Sequence, residues 1–390
     1  MKRNNDIINK SGCCKRAKPR DSWGVCFVKG LKVMKGKKVF IILLAFIAAA
    51  AFLICRHAGM FNDGGFRSTE DVAETDDFCM GTLAMQKVYG NGARVAARET
   101  TQRFREIEEM MSANLPGSEI GRLNALAGKG GVKLSPETFG VLETSIKYAR
   151  LSGGAFDVTV GPLVKAWAVT SEEPRAPKPD EVGRLIELVD YRSMLLDRTC
   201  LSAKLEKPGQ MVDLGGIAKG FAADEAIRIY RKYGIKSAYV NLGGNIAVLG
   251  RKPDGGLWRI GIQNPRAERG KYIGILEVSD KAVVTSGDYE RYFEKDGRRY
   301  HHIIDPKTGY PADSGIISAT IAAAASIDAD ALSTAVFVLG LDKGMELIGS
   351  LEGVEGIFIA GDKKVYVTEG LKKDFRMADS SGEFKYVEKR

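Results

Sequence analysis

Apolar residues follow two different periods along this chain, and glycine-rich turns punctuate the change from one to the other. Residues 78–89 read as a strand interrupted at Met80-Gly81-Thr82. Residues 98–112 read as an amphipathic helix, because Phe104, Ile107 and Met111 fall on one face at helical spacing. A second helix is predicted from Pro136 to Leu151, with proline at its start and Ser152-Gly153-Gly154 as its stop. Residues 170–180, TSEEPRAPKPD, set three prolines among charges and predict a surface excursion. Further on, β-rich runs at 238–241, 246–250, 258–263, 356–360 and 365–368 mix with helices at 217–233 and 328–339. There is no regular βαβ alternation and no repeat at a fixed period, so the pattern predicts one α+β domain rather than a doubly wound sheet.

Upstream the pattern is different. Residues 39–55, VFIILLAFIAAAAFLIC, carry no charge over 17 positions. As a helix they would reach about 25 Å, at the short end of a membrane span. Lys32, Lys35, Lys37 and Lys38 precede this run and by the positive-inside rule stay in the cytoplasm, sending the C-terminal body outward. A cleaved signal sequence, even one starting at Met34, is the alternative. Lipidation at Cys55 is a third reading, although Phe52-Leu53-Ile54 lacks the small residue expected before a lipidated cysteine. Each reading exports the body. The expected organisation is a basic tail (1–38), an anchor or signal (39–55), a polar tether (56–77) and a folded body (78–390).

Charge supports that division. The chain of 390 residues carries a formal net charge of +9, which suggests a nucleic-acid partner. Residues 1–38 alone hold 12 Lys/Arg against Asp6 and Asp21, a net of +10, whereas from Arg56 onward 46 basic residues meet 47 acidic ones. The body is nearly neutral, which removes the nucleic-acid reading. Only Cys79 and Cys200 lie in the body, with no CxxC pair for zinc. They could form one disulfide outside the cytoplasm or remain two buried thiols.

Four stretches could carry chemistry. In residues 211–221, MVDLGGIAKGF, a strand ends in a glycine turn that opens a helix, so free backbone N–H groups and the positive helix end suit phosphates. The spacing is not that of a P-loop, since Lys219 precedes Gly220, and a purely structural turn is the plain alternative. In residues 152–163, glycines would admit a large planar ligand and Asp157 could accept its hydrogen bonds; a simple helix stop is the alternative. Residues 300–311 hold two of the three histidines beside a rigid Asp305-Pro306-Lys307-Thr308-Gly309 turn. Histidine is the commonest general base, and in an extended segment only one of the pair enters a given site. In residues 328–334, Asp330 and Thr334 stand at i and i+4 on one helix face, hard oxygen ligands suited to Mg²⁺. The alternative is a helix cap by Asp328 with Ser333 and Thr334 as filler.

Taken in order, eight motifs resemble the FAD:protein FMN transferase family, the ApbE flavin transferases. They are Met80-Gly81-Thr82, Gly117-Ser118-Glu119-Ile120 with Leu123-Asn124, residues 152–163, residues 212–221, Val240-Asn241-Leu242-Gly243-Gly244-Asn245, Thr285-Ser286-Gly287-Asp288-Tyr289, residues 302–309 and residues 329–334. Each motif is weak alone; the ordered series, spanning about residues 78–370, is specific.

The resemblance implies an ApbE-like, T-fold-related domain with mixed β-sheets and packed helices, which the apolar run at 39–55 would precede as a membrane helix at the inner membrane. It implies that a threonine or serine hydroxyl of an acceptor flavoprotein, such as a subunit of a membrane redox pump, attacks the FMN phosphorus of FAD and that AMP leaves. By the family pattern Asp330 and Thr334, with oxygens from Gly216 and Ala218, would bind Mg²⁺, and His302 would take the proton. Met80, Ala155, Phe156, Asp157, Asp213 and Lys219 match positions that contact FAD. One departure stands out: many relatives carry a tyrosine where this chain has Asn114. Losing a ring stacked on the flavin would cost about 1 kcal/mol, and a looser flavin would admit water as acceptor. Mg²⁺-dependent FAD hydrolysis is therefore the alternative activity, and a non-catalytic exported flavin carrier the alternative of another class. The shared-site reading requires the Asp330 carboxylate close to the 213–219 turn; beyond about 10 Å no single cation and its water could bridge them.

Overall fold

The computed structural model describes residues 71–388. The basic tail and the apolar run at 39–55 lie outside the described residues, and among the described residues no helix is long and apolar enough to cross a membrane.

The main sheet has nine strands that lie side by side in chain order. They are β1 (Val72–Cys79), β2 (Thr82–Tyr89), β3 (Ser237–Leu242), β4 (Asn245–Leu249), β5 (Ala282–Gly287), β6 (Ile316–Ala323), β7 (Glu355–Ala360), β8 (Lys364–Val367) and β9 (Lys385–Tyr386). Every adjacent pair is antiparallel except β8 with β9. The sheet is thus a meander into which long excursions are inserted, and its class is mixed α+β.

Both faces of the sheet are covered. On one face pack the helices α1 (Ala93–Met111), α2 (Pro136–Leu151), α3 (Ala218–Lys232) and α4 (Ser326–Leu339). Phe104, Tyr230, Leu332 and Phe337 from these helices join Val240, Val284, Ala319 and Ile321 of the sheet in one apolar cluster. On the other face sits a small sheet of Trp258–Gln263, Tyr272–Val278 and Phe375–Met377. There Trp258, Leu276 and Phe375 meet Val248, Val283, Ile357 and Ile359. Adjacent residues such as Val283 and Val284 therefore face different cores, as the period of two requires. A strand buried on both sides loses the apolar–polar alternation: all eight residues of β6, IISATIAA, are buried.

Several expectations change in detail. Among the described residues the first strand opens at Val72, so the folded body includes residues before the expected start near Phe78. The extra residues form an edge strand with only Ala73 and Cys79 buried, which is why its acidic sequence reads as tether. The interruption at Met80-Gly81 is a two-residue hairpin turn, with Cys79 paired to Thr82 and both turn residues at positive φ (51° and 68°). Glycine suits that turn, and Met80 is held in it by donating its N–H to Glu108 Oε2 at 3.0 Å. Helix α1 begins at Ala93, five residues before the expected start at Arg98, while α2 spans its expected residues. Cys79 and Cys200 are free thiols; Cys79 is buried, but Cys200 is exposed, contrary to the paired or doubly buried expectation.

Helices α3 and α4 approach most closely at Gly220. A Cβ there would lie 2.5 Å from the Ser326 carbonyl oxygen and 2.7 Å from both Ile327 Cα and Asp330 Cβ. Alanine normally favours a helix over glycine by about 1 kcal/mol, but here two of the three neighbours are backbone and cannot yield. Gly220→Ala is expected to lower stability by about 1–3 kcal/mol in chemical unfolding; a stabilised variant would contradict this packing.

Candidate functional site

The 211–221 turn is assembled by three of the other motifs. Asn124 grips Val212 from both sides, its Nδ2 donating to the Val212 carbonyl at 2.9 Å and its Oδ1 accepting from Val212 N at 2.7 Å. The 152–163 segment runs alongside, with Asp213 N donating to the Val158 carbonyl at 2.7 Å. Asp213 Oδ1 then accepts from Gly215 N at 2.7 Å, tightening the turn. Lys219 folds back so that Nζ donates to the Gly215 carbonyl at 2.6 Å. Helix α3 opens at Ala218 with no side-chain cap from Ile217, leaving the positive helix end toward this turn.

Helix α4 meets the turn directly. Gly220 N donates to Asp330 Oδ2 at 2.8 Å, although 110 residues separate them in sequence. Asp330 is 3 % exposed, and a carboxylate so buried calls for a compensating positive charge. One helical turn on, Thr334 Oγ1 would lie 3.2 Å from a Cβ placed on Gly216, and the Phe156 ring edge 3.3 Å from the same point. The separation the sequence left open is therefore closed: Asp330, Thr334 and the 213–219 turn share one place. Among the described residues no group of three His, Cys, Asp or Glu side chains gathers for a metal. The Asp330 carboxylate and the Thr334 hydroxyl are nonetheless hard oxygens that suit Mg²⁺, which habitually completes its octahedron with water or phosphate oxygens, and carbonyls at Gly216 and Ala218 would add to that set.

The two histidines divide as their spacing predicts. His301 is buried, edge-on to Phe337 at 5.4 Å, with Nε2 3.0 Å from the Ala312 carbonyl. His302 keeps a solvent-reachable edge and places Nδ1 3.2 Å from the Arg291 carbonyl. Since a carbonyl only accepts, Nδ1 carries the proton and Nε2 is left with a free lone pair. Burial, and then the charges of Arg291, His301 and Lys219, push its pKa below that of an ordinary histidine. Lys219 is thus close enough for His302 to feel its charge, which ties the third motif to the turn. Arg291 also donates to the Gly81 carbonyl at 3.1 Å, bringing in the Met80-Gly81 hairpin.

Other candidates take different places. Asp157 is buried with its oxygens accepting from Thr159 N (2.8 Å), Thr159 Oγ1 (2.6 Å) and Tyr191 N (2.9 Å), so it tightens its own loop and ties it to the turn at Tyr191. Ala155 and Phe156 are both buried, and the Phe156 ring edge lies against Gly216 of the turn. Asn114 is exposed in the loop after α1. The Asp305–Gly309 turn is anchored by Trp167 Nε1 donating to the Gly309 carbonyl at 2.8 Å.

A model described as the ApbE family matches residues 80–358. The chain belongs to the ApbE family. The FAD:protein FMN transferase of Treponema pallidum (strain Nichols) is 36% identical over 346 residues, covering 84% of this chain and 95% of that protein. The FAD:protein FMN transferase of Klebsiella pneumoniae (strain 342) is 33% identical over 301 residues, covering 77% and 93%. Among solved structures, the ApbE protein of Thermotoga maritima MSB8 superposes with a TM-score of 0.73 at 33% identity, over 78% of this chain and 100% of that one. The flavin transferase ApbE of Vibrio cholerae gives a TM-score of 0.70 at 28% identity, over 78% and 99%.

Some site residues of this ApbE chain had no role from sequence. Ser286 Oγ lies 2.8 Å from Ser333 Oγ and 3.5 Å from Thr334 Oγ1, steadying the hydroxyl end of the α4 face. Asn245, buried beside the Gly243-Gly244 turn, leaves its Nδ2 without a hydrogen-bond partner. Both stand inside motifs that the sequence displays, but what Ser286 touches is revealed only by helix α4, folded against the sheet 47 residues further on. The alternative of a helix cap by Asp328 does not hold: the first N–H groups of α4 go to Asp224 of α3.

The Asp330–Gly220 bond separates two substitutions. Asp330→Asn keeps an oxygen for the Gly220 N–H, whereas Asp330→Ala leaves that buried donor unpaired at a cost of about 1–3 kcal/mol. Urea unfolding in chelator should find the alanine variant less stable than the asparagine variant; equal stabilities would show that the contact contributes nothing.

Proposed function

We propose that this chain is an FAD:protein FMN transferase that moves the FMN half of FAD onto a threonine or serine hydroxyl of an acceptor flavoprotein, releases AMP, and works with Mg²⁺. The observation that carries the reading is the meeting of Asp330 and Thr334 with the 213–219 turn, beside a histidine whose Nε2 is free, in an ApbE chain that aligns with FAD:protein FMN transferases over most of its length.

The acceptor hydroxyl oxygen forms a bond to the FMN phosphorus while the bond from that phosphorus to the bridging oxygen breaks, and AMP departs with the bridging oxygen. His302 Nε2 receives the hydroxyl proton, its ring held in the required tautomer by the Arg291 carbonyl. The N-terminal end of α3 and Lys219 face the diphosphate and offset its charge. Asp330, Thr334 and the carbonyls of Gly216 and Ala218 would hold Mg²⁺, which supplies electrostatic stabilisation of the charge on the leaving phosphate. Met80 and Asp213, which match positions that contact FAD in the family, would contact it here. The acceptor is an exported flavoprotein, and the site works on the extracytoplasmic side of the membrane, a placement supported by the apolar run at 39–55 behind its basic tail.

A second reading rests on Asn114. With this exposed amide in place of a stacking ring, water can compete with the acceptor and the same site would hydrolyse FAD to FMN and AMP. Incubation with FAD, Mg²⁺ and a candidate acceptor, read by gel fluorescence and intact mass, distinguishes the two. Transfer yields a covalent FMN adduct on the acceptor; AMP release at the same rate with and without acceptor, and no adduct, would overturn it.

His302→Ala is expected to slow transfer by about 10²–10⁴-fold, and unchanged rates would move the base elsewhere. The pH dependence has a definite sign. A lowered pKa keeps His302 neutral, and so competent as a base, to lower pH than an ordinary histidine. The acid limb of kcat/KM, which reports the free enzyme, should lie below pH 6.5, the ordinary value from which His302 is lowered. The bound diphosphate favours the protonated ring and should move the limb of kcat upward. A kcat/KM limb above that of kcat would contradict the assignment.

A further inference from the structure

Helices α3 and α4 each begin without a side-chain cap of their own. Neither Ile217 before α3 nor Ala325 before α4 provides one. The first N–H groups of a helix have no partner within it, so buried helix starts need an acceptor from elsewhere. Here each helix supplies the other. Asp330, in the second turn of α4, accepts from Gly220 N in the first turn of α3 at 2.8 Å. Asp224, in the second turn of α3, accepts from the first turn of α4, Oδ1 from Ser326 N at 2.7 Å and Oδ2 from Ile327 N at 2.9 Å. The two carboxylates form a reciprocal clasp, and only one of them belongs to the proposed metal set.

We infer that Asp224 is a positioning residue for the metal ligands: by fixing where α4 starts against α3, it sets the position of Asp330 and Thr334 relative to the Gly216–Ala218 carbonyls. The clasp leaves little freedom for any other arrangement. The Gly220 contact already brings backbone of the two helices together, so a shift of α4 along its axis would break either the Asp224 pair of bonds or the Asp330 bond. Asp224 touches none of the residues assigned to FAD or to metal among its hydrogen-bond partners; its partners are backbone N–H groups three and four residues ahead of Asp330. A cap in that place has two separable consequences. It satisfies donors, which any acceptor does, and it sets the geometry of oxygens that must meet an octahedral ion, which only a well-placed one does.

The inference rests on the Mg²⁺ reading above, and its test separates the two. Mn²⁺ binding to the wild-type protein, Asp224→Asn and Ser326→Pro is measured by calorimetry, with unfolding of the metal-free proteins in parallel. Asp224→Asn leaves one acceptor oxygen where there were two. Ser326→Pro keeps the Asp224 carboxylate but replaces its Ser326 N–H donor with a ring carbon, from which Oδ1, 2.7 Å from that nitrogen, must move away; proline is tolerated at a first helical position, and Ala325 before it is already extended (φ −107°, ψ 136°). Mutating such a supporting group typically weakens metal binding by about 10–100-fold. That loss is expected for Asp224→Asn, with a smaller loss in the same direction for Ser326→Pro, and with transfer recovering as metal is raised to saturation. Wild-type Mn²⁺ affinity in both variants, with only metal-free stability reduced, would make Asp224 a cap and nothing more, and overturn the inference. If Asp224→Asn does not fold, Ser326→Pro decides alone. A wild-type protein that binds no Mn²⁺ overturns the metal reading itself.

Discussion

One hydrogen bond, from Gly220 N to the buried carboxylate of Asp330, is the contact on which the site depends. It satisfies the start of α3 with a group from α4 and, in doing so, places a negative charge where water cannot easily compensate it. A buried carboxylate with only neutral donors is costly. A divalent cation would answer that cost, and the oxygens of Asp330 and Thr334 are hard. Stability and chemistry are therefore coupled at this point: the group that closes the two helices together is the group that would hold the metal.

The rest of the fold serves to bring that contact next to His302. The main sheet supplies a rigid floor because both of its faces are packed, by helices on one side and by the small sheet on the other. Its turns and inserted excursions deliver the motifs. The β1–β2 hairpin reaches Arg291 through the Gly81 carbonyl, Arg291 in turn orients His302, and Asn124 clamps the strand leading into the 213–219 turn. These contacts are mostly side chain to backbone, so they fix loop paths rather than add much to the apolar core. A site built this way is set in position before substrate arrives, as electrostatic catalysis of phosphoryl transfer requires.

How much of this the sequence displays depends on the range of the interaction. Helix α2, with proline at its start and glycines at its end, is legible because every signal is local. So is the face shared by Asp330 and Thr334, which needs only helical periodicity. Strand β6 is not legible by alternation, since IISATIAA is buried on both faces. The acidic edge strand β1 fails for the opposite reason, having almost nothing buried. Asp224 is the clearest case: it is one more acid in an amphipathic helix until a helix start 102 residues away is folded against it. Asp157 stands in a legible motif, but its bond to Tyr191 N, 34 residues on, appears only in the fold.

The proposed function requires separate motifs to converge on one cation and one diphosphate. Anomalous scattering from crystals of the protein soaked with Mn²⁺ and FAD tests it most directly. The account expects a single strong peak in contact with Asp330 and Thr334, with oxygens of the FAD diphosphate completing the coordination and His302 Nε2 facing the FMN phosphorus. A peak elsewhere, or a diphosphate bound away from the α3–α4 junction, would contradict it.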